Sequence, residues 1–304
     1  MKVQVLMSTY NGEKYVEEQI NSITENQIEN VEVSLLVRDD GSRDRTLEVL
    51  NVLKAKEPIQ IEVMQGKNLG VTRSFLQLIK NAPEADLYFF ADQDDRWIKD
   101  KIATVVDLCK KSDEPEVYVS GYYLTDATLN VQSEWIHSEN TENSLLQILF
   151  ANMVPGCVMG FNKALLLEMQ KKLPEDVPMH DIYALATAYC CGSIRYIEKP
   201  LVYYRQHGNN VEGVHSEYID WKRIWKKQKK IWSQKPQHTS ELAALLLKKY
   251  GYEMPEDEKN NLQLVCGYRN KISSKLKLLF NKEIYYSGIR AKVQTFEKIV
   301  MGKF

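Results

Sequence analysis

The run Tyr88-Phe89-Phe90-Ala91 breaks directly into Asp92-Gln93-Asp94-Asp95-Arg96-Trp97, and no other stretch restricts the fold as tightly. Apolar residues in unbroken succession suit a strand covered on both faces, as in a parallel sheet layered with helices. Such a strand delivers three closely spaced carboxylates to a sheet edge. Charges that near repel, and without a counterion at least one would be held protonated. A divalent cation relieves this, and carboxylate and amide oxygens without sulfur or imidazole favour Mg2+ or Mn2+ over Zn2+. A solvated acidic turn capping the next helix would use the same residues.

The pattern repeats upstream. Val3 to Met7 reads as a strand ending in Ser8-Thr9-Tyr10-Asn11-Gly12, and Glu13 to Ile23 has helical spacing; Val31 to Val37 is a strand ending in Arg38-Asp39-Asp40-Gly41-Ser42, with a helix from Thr46 to Leu53. Ile61 to Met64 is a strand, Gly66 to Gly70 a loop, and a helix follows through Phe75, Leu78 and Ile79. After Trp97 a helix runs through Ile102, Val105, Val106 and Leu108. Strands alternating with helices predict an α/β fold, a mostly parallel mixed sheet whose ligands bind beyond the strands' carboxyl ends. The polar clusters at Thr9, Asp39 and Asp92 each follow a strand, so all three should line one edge. Neither a P-loop nor a G-x-G-x-x-G turn is present, so phosphate would be held by metal and cationic side chains.

Beyond residue 115, strands are expected at Val117–Leu124, Cys157–Phe161, Ile194–Ile197 and Leu201–Tyr204, the last two around Pro200, with helices at Leu145–Phe150, Lys163–Lys171 and from Met179-His180-Asp181 onward. The 304 residues are nearly neutral overall, yet residues 1–214 carry a net −11 and residues 215–304 a net +10. That asymmetry sets a boundary near residue 214, between a catalytic domain and a basic helical C-terminal region. Five cysteines without C-x-x-C spacing suit a reducing compartment. The apolar start is too short for a secretory signal, and the most apolar window, residues 145–161, is broken by Asn152, Pro155 and Gly156, so a soluble cytoplasmic protein is expected.

In chain order the pieces M-S-T-Y-N-G-E-K-Y (residues 7–15), V-R-D-D-G-S-R-D-R-T (37–46), N-L-G-V-T-R-S-F (68–75), F-A-D-Q-D-D-R-W (90–97), V-P-G-C (154–157), His180-Asp181 and Y-R-Q-H-G-N-N (204–210) resemble the family-2 inverting glycosyltransferases of GT-A fold, the bacterial type that builds surface polysaccharide. The A-D-Q-D-D-R-W and Y-R-Q-H-G-N-N forms are similar to those of rhamnosyltransferases using dTDP-L-rhamnose; subgroups with UDP-sugar donors share them. The resemblance implies that Thr9, Tyr10 and Glu13 border the nucleoside and that Asp39 accepts from the pyrimidine N3–H. It also implies that Asn68 and Arg73 flank the nucleotide, Asp92 lies near the ribose, Asp94 ligates the metal, Asp181 is the catalytic base, and the His207 loop closes over the diphosphate. Arg96 departs from the family, where an apolar residue is common.

Inversion needs one in-line displacement and one base. A carboxylate opening a helix stays ionised, which suits Asp181, although an ordinary helix cap would sit there too. Arg205 and His207 would add to the metal in stabilising the leaving group. A hydrolase would need two carboxylates flanking the bond. A nucleotidyltransferase of related fold is the alternative enzyme, though its usual Gly-rich, Arg-containing first loop is missing, and a degenerate carbohydrate-binding protein is the alternative without chemistry.

In residues 217–235, Trp221, Ile224, Trp225, Gln228, Ile231 and Trp232 share one helical face amid Lys and Arg. That composition suits a helix lying in a membrane interface, where a lipid-linked glycan acceptor would be found, or a helix packing its tryptophans on the catalytic domain. No nucleic-acid module accompanies the basic patch.

Overall fold

A computed structural model describes residues 1–26, 28–109, 113–138, 144–207, 238–284 and 289–304. The chain divides into two compact units, Met1–Glu139 with Val154–His207, and Asn140–Met153 with Gly208–Phe304. The expected boundary at residue 214, the Gly208-Asn209-Asn210 loop and the Trp-rich stretch lie outside the described residues.

In the first unit the leading strands are β1 (Lys2–Thr9), β2 (Glu32–Asp39), β3 (Gln60–Gln65) and β4 (Leu87–Asp92), separated by helices α1 (Val16–Thr24), α2 (Thr46–Lys56) and α3 (Val71–Asn81). The pairings β3–β2, β2–β1 and β1–β4 are parallel. Consecutive residues Leu6 and Met7 of β1 are both fully buried. Because neighbours on a strand point to opposite faces, both faces of the sheet centre are covered, and that is why β4 reads as an unbroken apolar run and β1 as one interrupted only by the buried Gln4.

After β5 (Arg96–Trp97), α4 (Lys101–Leu108), β6 (Glu116–Thr125) and β7 (Val131–Trp135) come a 3-10 turn at Gly156–Val158, β8 (Met159–Asn162), α6 (Lys163–Gln170), α7 (His180–Cys191) and β9 (Ser193–Arg205). The sheet order is β3-β2-β1-β4-β8-β6-β9-β5, with β7 paired to β6. Parallel pairing returns only between β6 and β9; β8 joins β4 and β6 antiparallel, and β5 joins β9 the same way. The sheet is therefore mixed in its second half.

Two details depart from expectation. The strands read on either side of Pro200 form the single strand β9, and the missing N–H is absorbed where the β6–β9 register slips between Ser120 and Tyr123, opposite Gly121. A side chain at Gly121 would put Cβ 2.5 Å from the Trp135 carbonyl oxygen. Strand β7 went unread because V-Q-S-E-W is nearly all exposed and carries no alternation.

The second unit holds α5 (Leu145–Ala151), α8 (Thr239–Tyr250), α9 (Glu256–Gly267), α10 (Ile272–Leu279) and α11 (Ile289–Val300). Helix α5 belongs here because Phe150 packs edge-on against Tyr268 and Phe304, while the Ser144 hydroxyl donates to the Glu283 carbonyl at 3.0 Å. All five cysteines are free thiols. Among the described residues no helix is long and apolar enough to cross a membrane.

Candidate active site

Strand register builds the rim. Thr9 lies opposite Asp39, and Ser8 opposite Asp92, so the carboxyl ends of three parallel strands finish at one level. The Thr9 hydroxyl donates to Asp39 Oδ2 (3.2 Å), which also takes the Ser42 hydroxyl (2.5 Å), while Oδ1 accepts from the Gly41 and Ser42 amides at 3.1 and 2.9 Å. Every acceptor site of the Asp39 carboxylate is thus filled, three by its own loop and one by Thr9 of β1. Gly41 makes the turn with φ +80°, a left-handed conformation that favours glycine.

Next to it, buried Asp40 pairs with buried Arg38 and accepts from the amides of Leu69 and Gly70, both at 2.8 Å. Arg38 also donates to the Lys67 carbonyl and the Ser74 hydroxyl, each at 3.0 Å. Together they fix the N-L-G loop and the first turn of α3 against β2. Asn68 sits exposed on that loop. The Arg73 side chain is half-exposed and forms a two-pronged pair with Asp176, at 2.8 and 2.7 Å.

Gln93 ties the first loop to the acidic turn. Its Oε1 accepts from the Tyr10 amide (2.9 Å) and its Nε2 donates to the Tyr10 carbonyl (3.1 Å). The approach needs Gly12, where a Cβ would lie 2.1 Å from Gln93 Oε1. Tyr10 itself is exposed. Glu13 accepts from the Arg45 amide (2.9 Å), and Gly12 donates to Thr46 Oγ1 (2.8 Å), joining the loops after β1 and β2.

The Y-R-Q-H segment docks on the same turn from 110 residues away in sequence. The Arg205 amide donates to Asp95 Oδ1 (3.0 Å), and its Nε donates to the Asp94 carbonyl (2.7 Å). Its Nη1 reaches the Ala127 carbonyl (2.8 Å) and its Nη2 Glu18 (2.5 Å). Expected beside the diphosphate, this guanidinium is instead buried and spent on protein acceptors, 4.7 Å from the centre of the Tyr15 ring. His207 stacks on Tyr15 as well, at 4.9 Å, and its Nε2 lies 2.8 Å from Asp94 Oδ2. Arg96 faces outward toward Glu25 at 3.9 Å.

Beneath the turn, Asp92, Asp95 and Cys157 bring their donor atoms within 4.8 Å of one another. Buried Lys101 donates to the Cys157 carbonyl and lies 4.3 Å from the Trp97 ring centre. Burial and the Asp94 charge push Asp92 up to about 7, with Lys101 acting against them. Burial, then Asp94 and Asp92, raises Asp95 as well. Burial lowers Lys101 to about 8 despite those carboxylates. Burial thus outweighs pairing in this cluster, and it disfavours the charged form of both carboxyls and of the ammonium.

Asp181 opens α7 in its first turn, largely buried, with Oδ1 accepting from the Ile182 amide at 2.6 Å. His180 beside it stacks on Phe75 of α3 (3.8 Å) and meets the edge of Phe90 of β4 (5.0 Å). Phe90 is two residues from Asp92, so the start of α7 packs near the carboxyl end of β4. Gly156 leaves room for the imidazole: a Cβ there would be 2.4 Å from His180 Nε2. Burial lowers His180 to about 3, and neither ring nitrogen has a hydrogen-bond partner.

Sequence reasoning missed Arg38, Asp40, Gln93, Lys101 and Tyr15. Arg38 and Asp40 stand two apart at a strand end, a spacing that could have suggested the pair. Nothing local marks Lys101 as buried: Trp97 is four residues away, but the hydrogen-bond acceptor is the carbonyl of the distant Cys157.

A sheet with parallel leading strands, acidic loop tips at their carboxyl edge and a mixed second half is the architecture of GT-A glycosyltransferases. It aligns with S. aureus TarS 1–349 in complex with UDP-GlcNAc at a TM-score of 0.59, 18% identity, over 100% of this chain and 82% of that one. It also aligns with the mannosyltransferase PcManGT from Pyrobaculum calidifontis, solved with GDP-Man and Mn2+, at 0.52 and 16% identity, over 99% and 85%. The model for Glycosyl transferase family 2 matches residues 4–167, and the dTDP-rhamnosyl transferase RfbG of Shigella flexneri is 30% identical over 233 residues, 72% of this chain and 78% of that protein. The chain belongs to glycosyltransferase family 2.

Proposed function

We propose that the protein is an inverting glycosyltransferase that moves L-rhamnose from dTDP-L-rhamnose to a hydroxyl of a glycan or lipid-linked glycan, in surface polysaccharide synthesis. The observation that carries this reading is the meeting of Thr9, Asp39, the Asp92–Asp95 turn, the Y-R-Q-H segment and the start of α7 at one sheet edge. The likeness to RfbG supports the donor; a UDP-linked sugar is the alternative.

Thr9, Tyr10, Asp39, Asn68 and Arg73 frame the nucleoside side. Because Asp39 is saturated, it receives the pyrimidine N3–H only when the Ser42 or Thr9 hydroxyl rotates away, a movement that costs little since hydroxyls turn freely. Asp92 lies toward the ribose. Asp94 fits a divalent cation: its carboxylate is partly open, His207 Nε2 stands beside it, and the like charge of Asp94 helps to raise Asp92, a repulsion that a cation would relieve. Mg2+ or Mn2+ held there would offset charge developing on the departing diphosphate. Arg205 acts as a positioning residue, holding the backbone of Asp94 so that its side chain points outward.

Asp181 takes the proton of the acceptor hydroxyl as that oxygen bonds to the anomeric carbon, while the bond from that carbon to the diphosphate oxygen breaks on the opposite face. His207 faces the leaving group from the Tyr15 platform. The protein works in the cytoplasm, at the inner face of the membrane when its acceptor is lipid-linked, and nucleic acid has no part in this reading. Nucleotide release from a panel of dTDP- and UDP-sugars, with and without Mn2+, tests the donor: dTDP-L-rhamnose should be turned over fastest and only with metal.

A further inference from the structure

Two helices of the C-terminal unit bury Leu278 and Ile299 yet leave most of their other large apolar side chains in water. On α10 Ser274 is buried (7% exposed), while Ile272 (78%), Leu276 and, just past the helix, Phe280 (77%) stand in water. Spaced by four, the three form one stripe. Helix α11 does the same: Thr295 faces inward, and Val293, Phe296 and Val300 face out. The two helices pack on each other, and Lys275 of the first donates through Nζ to the Val300 carbonyl at 2.7 Å. Soluble monomers seldom leave so many large apolar side chains exposed on adjoining helices without a use for them.

Charge decides what meets this face. Residues 271–304 hold eight Lys and Arg against two Glu. Lys271, Lys277, Lys282 and Lys292 are exposed, whereas Glu283, one of the two acids, accepts from Asn261 Nδ2 at 2.9 Å. A second copy meeting through the same face would bring two strongly positive surfaces together. An anionic lipid surface suits both properties: apolar side chains enter the headgroup–acyl boundary, and lysine ammonium groups stay at the level of the phosphates. We propose that α10 and α11 form a docking face for an anionic phospholipid bilayer, separate from the Trp-rich stretch of residues 217–235.

The test is co-sedimentation of the full chain with phosphatidylcholine vesicles, with and without phosphatidylglycerol. It needs neither donor nor acceptor, so its outcome is separate from that of the proposed reaction. Binding should require the anionic lipid and weaken with salt. Phe280→Ser/Phe296→Ser should reduce it at least about tenfold, and so should the charge reversal Lys271→Glu/Lys277→Glu, which touches only exposed residues and keeps the test valid if the first variant misfolds. Vesicle binding that is absent in the wild type, or unchanged in both variants, overturns the proposal. So does an ultracentrifugation result in which the wild type is a dimer and Phe280→Ser/Phe296→Ser a monomer, which would assign the face to a second copy.

Discussion

In the proposed reaction Asp181 and Asp94 would divide the chemistry at the residue scale, and each role has a separate readout. Asp181→Asn keeps the shape of the helix start but cannot take a proton, so kcat should fall by about 10²–10⁴-fold with donor affinity unchanged in a binding titration. Asp94→Ala should abolish metal-dependent turnover and also weaken Mn2+ binding, seen by electron paramagnetic resonance in the presence of dTDP. His180 gives a prediction for stability. Its folded-state pKa of about 3 lies below the 6.5 of the free side chain, so its contribution is complete above pH 6.5 and is lost as pH falls toward 3, because only the unfolded chain takes up the proton. Denaturant titrations from pH 7 to pH 4 should show a shallower loss of stability in His180→Phe, whose ring fits the same stack between Phe75, Phe90 and Gly156. An unchanged slope would mean that the imidazole is not held neutral.

At the scale of elements, the rim depends on bonds between loops rather than within them. Gln93 holds Tyr10 by two hydrogen bonds, each worth about 0.5–1.5 kcal/mol, and Gly12 is what lets it approach. Gly12→Ala should displace the Gln93 amide, cost about 1–3 kcal/mol of stability, and weaken dTDP binding because the loop carrying Thr9 and Tyr10 loosens; calorimetry of dTDP binding measures this. Elements of this kind were partly legible in the sequence. The four leading strands and their helices were readable because β1, β2 and β4 are buried on both faces and all four end in a polar turn. The edge on which Thr9, Asp39 and Asp92 would meet followed from parallel topology. The single strand through Pro200 was not readable, since its continuity depends on a register slip against Gly121. Nor was the fate of Arg205: the residue beside a candidate clamp looked like a second cation for phosphate, and only the packing of Glu18, Ala127 and Asp94 around it makes it a brace. Lys101 was hidden for the same reason, its hydrogen-bond acceptor, the Cys157 carbonyl, being far along the chain.

At the scale of the whole molecule, an acidic catalytic unit and a basic helical unit share one chain. The charge asymmetry was visible in the sequence, whereas the membership of α5 in the second unit was not, because that depends on Phe150 meeting Tyr268 and Phe304. The first unit assembles loop tips from segments as far apart as Thr9 and His207 at one edge of its sheet. That convergence is the central claim, and release of dTDP from dTDP-L-rhamnose by wild type and Asp181→Asn, with Mn2+ and a cell-envelope glycan fraction as acceptor, tests it most directly. The wild type should show acceptor-stimulated release, and Asp181→Asn none above background while dTDP still binds. Equal release by the two proteins would contradict it.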